Sequence, residues 1–395
     1  MGNQTQEVII PRSQRLLDRY THTRVPITTF IEDYIAERVD LGVDFRDFIR
    51  LRNEHVRYRL IGDHFKFLFT RFIPEITIHS KKQDERIVRD HYDRGTDFFS
   101  SFLGERMVYT SGFFKTGDET LEMAQDQKMD LVCEKIQMQP GERHLDIGCG
   151  WGTLVLHAAR DFGTDSTGIT IAQDGTDYGN EQIRKAGLSD RARIIRSDYR
   201  DIRPGKYDKI TCLEMAEHVG IKNFLKFMKQ IYGMLQDDGL FFLQIAGLRA
   251  RRGTFSGLHM EDIIWGLFMS KYIFPGADAS MPLSFVVKNL ERAGFEVHSV
   301  ENIGIHYSRT IDLWYDNWMD NRTTIVKKYG ERWWRLWQVF LGWSVHIAAQ
   351  GASTCFQLVC NKNLNEFDRT RWIGATNMGE RDLIGRGINA NGVPA

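Results

Sequence analysis

The chain has no excess of either charge sign, with 52 Lys and Arg against 52 Asp and Glu over 395 residues. Without a basic field, a zinc-finger spacing or an RNA-binding signature, nucleic acid is not an expected partner, and no metal is expected. Cysteines are few, at 133, 149, 212, 355 and 360, with no C-x-x-C pair and no disulfide-framework spacing. That usage points to a reducing, cytoplasmic setting. Four of them read as small buried hydrophobes, and Cys149 is set apart by the loop it occupies. No long apolar run is present either. The richest, from about Leu336 to Phe356, is broken by Gln338, His346 and Gln350. It falls short of the roughly 20 apolar residues that a bilayer demands, so no transmembrane helix is expected. The start MGNQTQEVII lacks a signal core, and Gln6 stands where a myristoylation pattern needs Ser or Thr. No internal repeat occurs, and the tail from about Asn377 reads as a loose extension. What is present is an ordinary globular composition, 42% hydrophobic and 26% charged, long enough for one α/β domain with additions.

The most informative stretch is Leu145-Asp146-Ile147-Gly148-Cys149-Gly150-Trp151-Gly152, which ends an apolar strand in a glycine turn and opens into a helical pattern from Thr153 to Phe162. The glycines let the backbone turn tightly and approach a ligand, and the helix start offers unsatisfied N–H groups. A dinucleotide would want G-x-G-x-x-G. Here the spacing is G-x-G-x-G behind an acidic strand end, the form used for S-adenosylmethionine (SAM), which has no phosphate to hold. A glycine turn alone also serves as a plain strand-to-helix connection, so the context matters. Ser166 to Thr170, Ala192 to Arg196, Lys209 to Leu213 and Leu240 to Ala246 read as further strands, separated by helical patterns such as Asn223 to Leu235. That alternation is what a right-handed parallel α/β sheet requires. The third strand runs into Asp198, suited to accept the adenine amino group, and Tyr199, suited to flank the base, at the strand ends where such ligands sit.

The flanks are helical and aromatic. Residues 1 to about 85 contain amphipathic patterns at Ile27 to Val39 and Phe45 to Leu60. The stretch Arg57 to Phe72 mixes cations with aromatics, and two readings stay open: a packed helix with solvated charges, or a peripheral contact with a membrane interface. An insertion at about 247–283 follows the fifth strand, and another at about 305–350 interrupts a closing antiparallel hairpin. The second holds Trp314, Tyr315, Trp318, Trp333, Trp334, Trp337, Phe340 and Trp343, enough either to wall a long apolar pocket or to build a core. Placed over the carboxyl edge of a sheet, these insertions suggest a hydrophobic substrate.

Several separated motifs agree with one family. They are His91-Tyr92-Asp93-Arg94-Gly95-Thr96-Asp97-Phe98-Phe99, the segment Met107 to Gly112, LDIGCGWG, Asp198-Tyr199-Arg200-Asp201, Glu214-Met215-Ala216-Glu217-His218-Val219-Gly220, and Lys271-Tyr272-Ile273-Phe274-Pro275-Gly276. Over residues 85 to 363 the chain resembles the cyclopropane-fatty-acid synthase family of SAM-dependent methyltransferases. ITCLEMAEHVG, FFLQIAGLR and WGLFMSKYIFPGADAS are most similar to its fungal sphingolipid C9-methyltransferase branch, which methylates the Δ8 double bond of a ceramide long-chain base. The resemblance implies a Rossmann-like class I sheet of seven strands, the last antiparallel. It also implies a helical region at 1–85, a methyltransferase domain at 86–363 with helical insertions over the active site, and an extension at 364–395. It assigns SAM contacts to Tyr109, Thr110, Asp146, Gly148, Gly150, Thr170, Gln173, Asp198, Tyr199 and Glu214. It assigns a bicarbonate ion to Glu217, Cys149, Gln244 and Tyr307 with the Ala246 backbone, as the base that follows methyl transfer to an alkene; His218 is read as structural.

Three departures qualify the resemblance. Gln244 stands where cyclopropane synthases carry His, leaving a neutral amide instead of a proton-carrying imidazole. Gly175 stands where relatives place a Gln that reaches the ribose, with Asp174 or Gln173 as substitutes. The branch carries two transmembrane helices ahead of its catalytic domain, whereas none is expected here. The implied substrate is therefore a sphingoid base drawn in through the aromatic flanks, by a cytoplasmic protein that meets a membrane only at its surface. A soluble polyene, a terpenoid, an amine taking the methyl on nitrogen, an acyl chain turned into a cyclopropane, and a catalytically silent SAM- or lipid-binding role are the alternatives.

Overall fold

A computed structural model describes residues 8–72, 95–202, 205–249, 259–274 and 281–373. His91 to Arg94, Pro275, Gly276 and the tail from Asn377 lie outside the described residues. Four short strands open the chain: β1 (Ile9–Pro11), β2 (Val25–Pro26), β3 (Val39–Leu41) and β4 (Val56–Arg57), with β1 antiparallel to β3 and β2 parallel to β4. The two helical patterns expected here are therefore shorter than read. Helix Ile27–Ile35 stops before β3, as Glu37 turns at φ 57, and Phe45–Arg50 and Arg52–His55 stop before β4. Val39 and Val56, β-branched and buried, pair in strands. Over such short apolar runs the helix and strand periods cannot be told apart.

The centre is a seven-stranded sheet of β5 (Arg143–Ile147), β6 (Asp165–Thr170), β7 (Ala192–Arg196), β8 (Tyr207–Leu213), β9 (Leu235–Leu248), β10 (Phe295–Asn302) and β11 (Ser353–Lys362), in the order β10-β11-β9-β8-β5-β6-β7. β11 runs antiparallel to both neighbours, and the pairs among β5 to β9 are parallel. The expected fold class is found. Connections leave β5 toward β6 on one side and return to β8 on the other. The carboxyl ends of β5 and β8 therefore flank a topological switch point, where open α/β sheets bind ligands.

Between β10 and β11 lie the helices Gly304–Asp320, Arg322–Tyr329 and Glu331–Ala349. From Trp334 to Ser344 every residue of the last is buried, so its middle lies inside the protein. Its Trp337 and Trp343, with Trp314 and Trp318 of the first helix, are fully buried and share one core with Phe30, Phe45 and Phe48. Arg335 fastens the contact, donating to the carbonyls of Tyr34 and Val39 at 3.1 and 3.0 Å. The tryptophan-rich insertion is thus core, and the N-terminal region is built into that core. The segment from Arg57 divides: Phe67 is buried and the Tyr58 hydroxyl donates to Glu261 at 2.7 Å, whereas Phe65 and Phe69 stand exposed. Past β11, Phe367 and Trp372 pack onto the sheet and Trp372 stacks on His298 at 3.7 Å, so the first part of the C-terminal extension belongs to the domain. Among the described residues no helix is long and apolar enough to cross a membrane.

Candidate active site

The cradle forms because β5 ends in a loop that only glycine can follow. Gly148, Gly150 and Gly152 have φ of 83, 56 and 80°, and a Cβ on Gly148 would lie 2.5 Å from Met215 Cγ. The N–H groups of Gly148 and Cys149 both donate to the carbonyl of Ile169, at 2.9 and 3.0 Å, which ties the loop to β6. Beneath the loop is a cleft of about 190 Å³ whose wall includes Tyr109, Thr110, Asp146, Gly148, Gly150, Thr170, Asp198, Tyr199 and Glu214. Every expected SAM contact is there except Gln173. That side chain is exposed, accepting from Arg196 Nη1 at 2.9 Å and donating to Asp177 at 2.8 Å. One helical step of about 100° sends Gln173 outward and puts Asp174 and Gly175 in the wall. The structure also explains Gly175. A Cβ there would sit 2.5 Å from the Gly150 carbonyl oxygen, so helix Gln173–Lys185 can lie against the cradle only without a side chain at this position.

The cleft is charged at its floor. Asp146 is buried and pushed up to about 6 by burial, eased by the Thr211 hydroxyl, which donates at 2.7 Å, and by Lys128. Lys128, 2% exposed, is pulled down to about 8 by burial against the opposing charges of Glu214 and Asp146, and its ammonium donates to Thr110 Oγ1 at 3.0 Å. Sequence reasoning missed Lys128. Its signal was a polar residue on the apolar stripe Leu121, Gln125, Lys128, Val132 of helix Leu121–Lys135. The Asp198 carboxylate accepts from both Arg200 Nε and Nη2, at 2.8 and 2.6 Å, and is thereby fixed facing the cleft. The Tyr199 ring packs edge-on against Phe227 at 4.9 Å. His218 lines the cleft, its ring 5.9 Å from Phe274. Close glycine backbone, a fixed carboxylate beside an aromatic ring and a balanced charged floor suit a ligand of SAM's kind, with polar ends and no phosphate.

Behind Glu214 lies a second group. Glu214, at φ 53, accepts at Oε1 from the Ser111 N–H at 3.0 Å and from Gln244 Nε2 at 2.6 Å, and it is hydrogen-bonded by Tyr307. Burial raises its pKa, against the pull of those donors. Glu217, in the turn Ala216–Val219 after β8, is buried and pushed up to about 8 by burial and by the charge of Glu214. Its Oε1 accepts from the Ala246 N–H at 3.2 Å, while Oε2 is buried and has no partner among the described residues. The structure therefore brings Glu217, Gln244, Tyr307 and the Ala246 backbone together, with Glu214 as their hub. Cys149 does not join them. Its sulfur lies over Gly168 beside Val155, in the apolar cluster with Ala159, Ile183 and Ile194, because the loop's bonds to Ile169 turn it that way. The nearby thiol is Cys355, opposite Ala246 on β11 and 3.6 Å from Glu214 Oε1. Among the described residues no group of three His, Cys, Asp or Glu is placed to hold a metal.

A doubly wound sheet with an antiparallel last strand, a G-x-G-x-G cradle at the switch point and an acidic strand end define a class I SAM-dependent methyltransferase. The model of the family described as mycolic acid cyclopropane synthetase matches residues 79–358, and the chain belongs to that family. It is 49% identical over 371 residues to the sphingolipid C9-methyltransferase of Komagataella phaffii, covering 91% of this chain and 75% of that one. It is 48% identical over 366 residues to sphingolipid C9-methyltransferase A of Emericella nidulans, covering 91% and 70%. Among solved structures, mycolic acid cyclopropane synthase CmaA1 complexed with SAH and CTAB is similar with a TM-score of 0.67 and 24% identity, over 72% of this chain and 100% of that one. At that identity the likeness concerns the fold.

Proposed function

We propose that this enzyme methylates C9 of a Δ8-unsaturated sphingoid base, free or in a ceramide, with a bicarbonate ion as the proton acceptor. Near-half identity to two sphingolipid C9-methyltransferases supports the substrate. The observation that carries the chemistry is the buried Oε2 of Glu217, which has no partner among the described residues. SAM, when bound, supplies an electrophilic methyl. The π pair of the alkene forms the new bond at C9 as the sulfur–methyl bond breaks, charge is left on C8, and loss of the C9 proton restores the double bond. Water would quench that charge, so a base held in a dry site is needed. Glu217, held neutral at pH 7 by a pKa pushed up to about 8, offers a donor through Oε2 to an anion such as bicarbonate. The second hydrogen of the Gln244 amide is the other donor, its first being given to Glu214. Tyr307 acts on the site through Glu214. In this reading Tyr109, Thr110, Asp146, Thr170, Asp198 and Tyr199 surround SAM, residues 86–363 are the catalytic unit, and the protein meets the lipid at a cytoplasmic membrane surface.

The test is incubation of the protein with methyl-labelled SAM and Δ8-unsaturated ceramides, free sphingoid bases, unsaturated phospholipids and amines, with and without bicarbonate, followed by mass spectrometry. Label at C9, dependent on bicarbonate, is the expected result, and label only in an amine or another alkene overturns the substrate. Glu217→Ala should abolish turnover while leaving SAM affinity within about tenfold, about 1.4 kcal/mol. Loss of SAM binding would instead place Glu217 in the cofactor site.

A further inference from the structure

The sense of the Gln244 amide is set from the edge of the protein. Lys135, the last residue of helix Leu121–Lys135, keeps its side chain 13% exposed. Its ammonium pairs with Glu301 and donates to Gln357 Oε1 at 2.7 Å. Gln357 and Gln244 stand directly opposite each other on β11 and β9, both buried. Gln357 Nε2 donates to Gln244 Oε1 at 3.0 Å, and Gln244 Nε2 donates to Glu214 Oε1 at 2.6 Å. The Glu214 N–H closes the loop, donating to the Gln244 backbone carbonyl at 2.7 Å.

A primary amide can rotate end for end with little change in shape, because its oxygen and nitrogen are nearly the same size. A buried pair of glutamines therefore has two senses, and packing does not choose between them. The chemistry of the two ends does. An ammonium only donates, so Gln357 turns its carbonyl to Lys135 and its amide nitrogen to Gln244. Gln244 must then accept at its oxygen, which leaves its nitrogen for Glu214. In the reversed sense a carbonyl oxygen would face the Glu214 carboxylate at hydrogen-bond distance, two acceptors with no proton between them.

We propose that Lys135 is a positioning residue for the methyl-transfer site, fixing the sense of the Gln357 and Gln244 amides so that Gln244 always presents its donor to Glu214. The inference rests on the reading of Glu214 and Glu217 as the polar centre of that site. The Gln244 amide carries its donors at one end only, and Lys135 fixes which end faces Glu214. Lys128, Tyr307, Cys355 and Glu217 also face Glu214, whereas among the described residues the Gln357 amide is hydrogen-bonded by Lys135 and to Gln244.

The measurement is the affinity for S-adenosylhomocysteine by calorimetry, from about pH 5 to about pH 9, on the full chain, alongside the pH profile of kcat on a Δ8-unsaturated ceramide. Lys135→Met should move the acid midpoint in both upward by about one pH unit, because Glu214 loses a fixed donor, and lower kcat at pH 7 about tenfold, with KM for SAM within about threefold. Lys135→Arg, still a pure donor, should restore the wild-type midpoint. Gln357→Glu keeps the Lys135 contact, accepts only and reverses Gln244, so its shift should be larger. Glu301→Gln removes only the outer ion pair and should shift nothing. Unmoved midpoints in Lys135→Met and Gln357→Glu, with both variants folded by thermal melt, would overturn the proposal. If wild type methylates no sphingolipid, the substrate assignment fails while the S-adenosylhomocysteine profile still decides the role of Lys135.

Discussion

Glu217 gives up solvent without gaining a full set of partners, and its protonation is what makes that tolerable. Its pKa rises from 4.5 to about 8 on folding, because burial and the neighbouring Glu214 charge both disfavour the ion. A group whose folded value is raised contributes stability that is complete below its unfolded value and is lost as pH climbs through the folded one. The window here runs from 4.5 to about 8. Glu217→Gln has nothing to ionise, so its stability relative to wild type should improve across that window by up to about 1.4 kcal/mol per pH unit and then level off. Denaturant melts of both proteins at stepped pH would show it. A gap that stays constant with pH would mean that Glu217 is ionised in the folded protein. Glu217→Gln should also retain a donor toward the anion and so flatten any fall in kcat above about pH 8.

At the scale of elements, the cofactor cleft depends on how closely helix Gln173–Lys185 approaches the cradle. Gly175 meets the Gly150 carbonyl and Gly179 meets the Trp151 carbonyl, where added Cβ atoms would both lie 2.5 Å from oxygen. Both obstacles are backbone, so the helix or the loop would have to move. Gly175→Gln should cost about 1–3 kcal/mol of stability and weaken SAM binding at least about tenfold. Calorimetric titration and a thermal melt test this. Unchanged SAM affinity would show that the loop yields freely.

Across the whole molecule, the N-terminal region is pinned to the insertion that follows β9. Arg52 donates to Glu261 through Nε and Nη2, both at 2.8 Å, and the same carboxylate accepts from the Tyr58 hydroxyl at 2.7 Å and the Trp343 indole at 3.3 Å. Three distant parts of the chain therefore meet on helix Met260–Phe268. Arg52→Met strands a mostly buried carboxylate and should cost about 3 kcal/mol. Because none of these residues lines the cleft beneath the glycine loop, SAM affinity should hold while stability falls. A melt and steady-state kinetics separate the two effects, and a loss confined to SAM binding would contradict this arrangement.

The sequence by itself determined the sheet, the glycine loop and most of the residues that line the cleft beneath it, because these rest on local physics. A strand that ends in three left-handed turns needs glycine, and runs such as Ala192 to Arg196 alternate with helices only in one kind of sheet. The motif around Glu214 and Glu217 was legible for the same reason, since its residues are neighbours along the chain. Directions were not legible. That the sulfur of Cys149 faces Gly168 follows from two hydrogen bonds to Ile169, and that Asp174 instead of Gln173 reaches the cleft follows from the phase of one helix. Lys128 and Lys135 share a helix whose pattern marks Lys128 at most as facing inward and gives neither residue a partner. Only the tertiary structure sets Lys128 against Asp146 and Glu214, and Lys135 against Gln357, 222 positions away. It also decided that the tryptophans of the last insertion are core, because the faces of Phe30, Phe45 and Phe48 that cover them come from the other end of the chain. Charge neutralisation in a buried site and the covering of an apolar helix are both contacts between distant residues, which is why folding had to settle them.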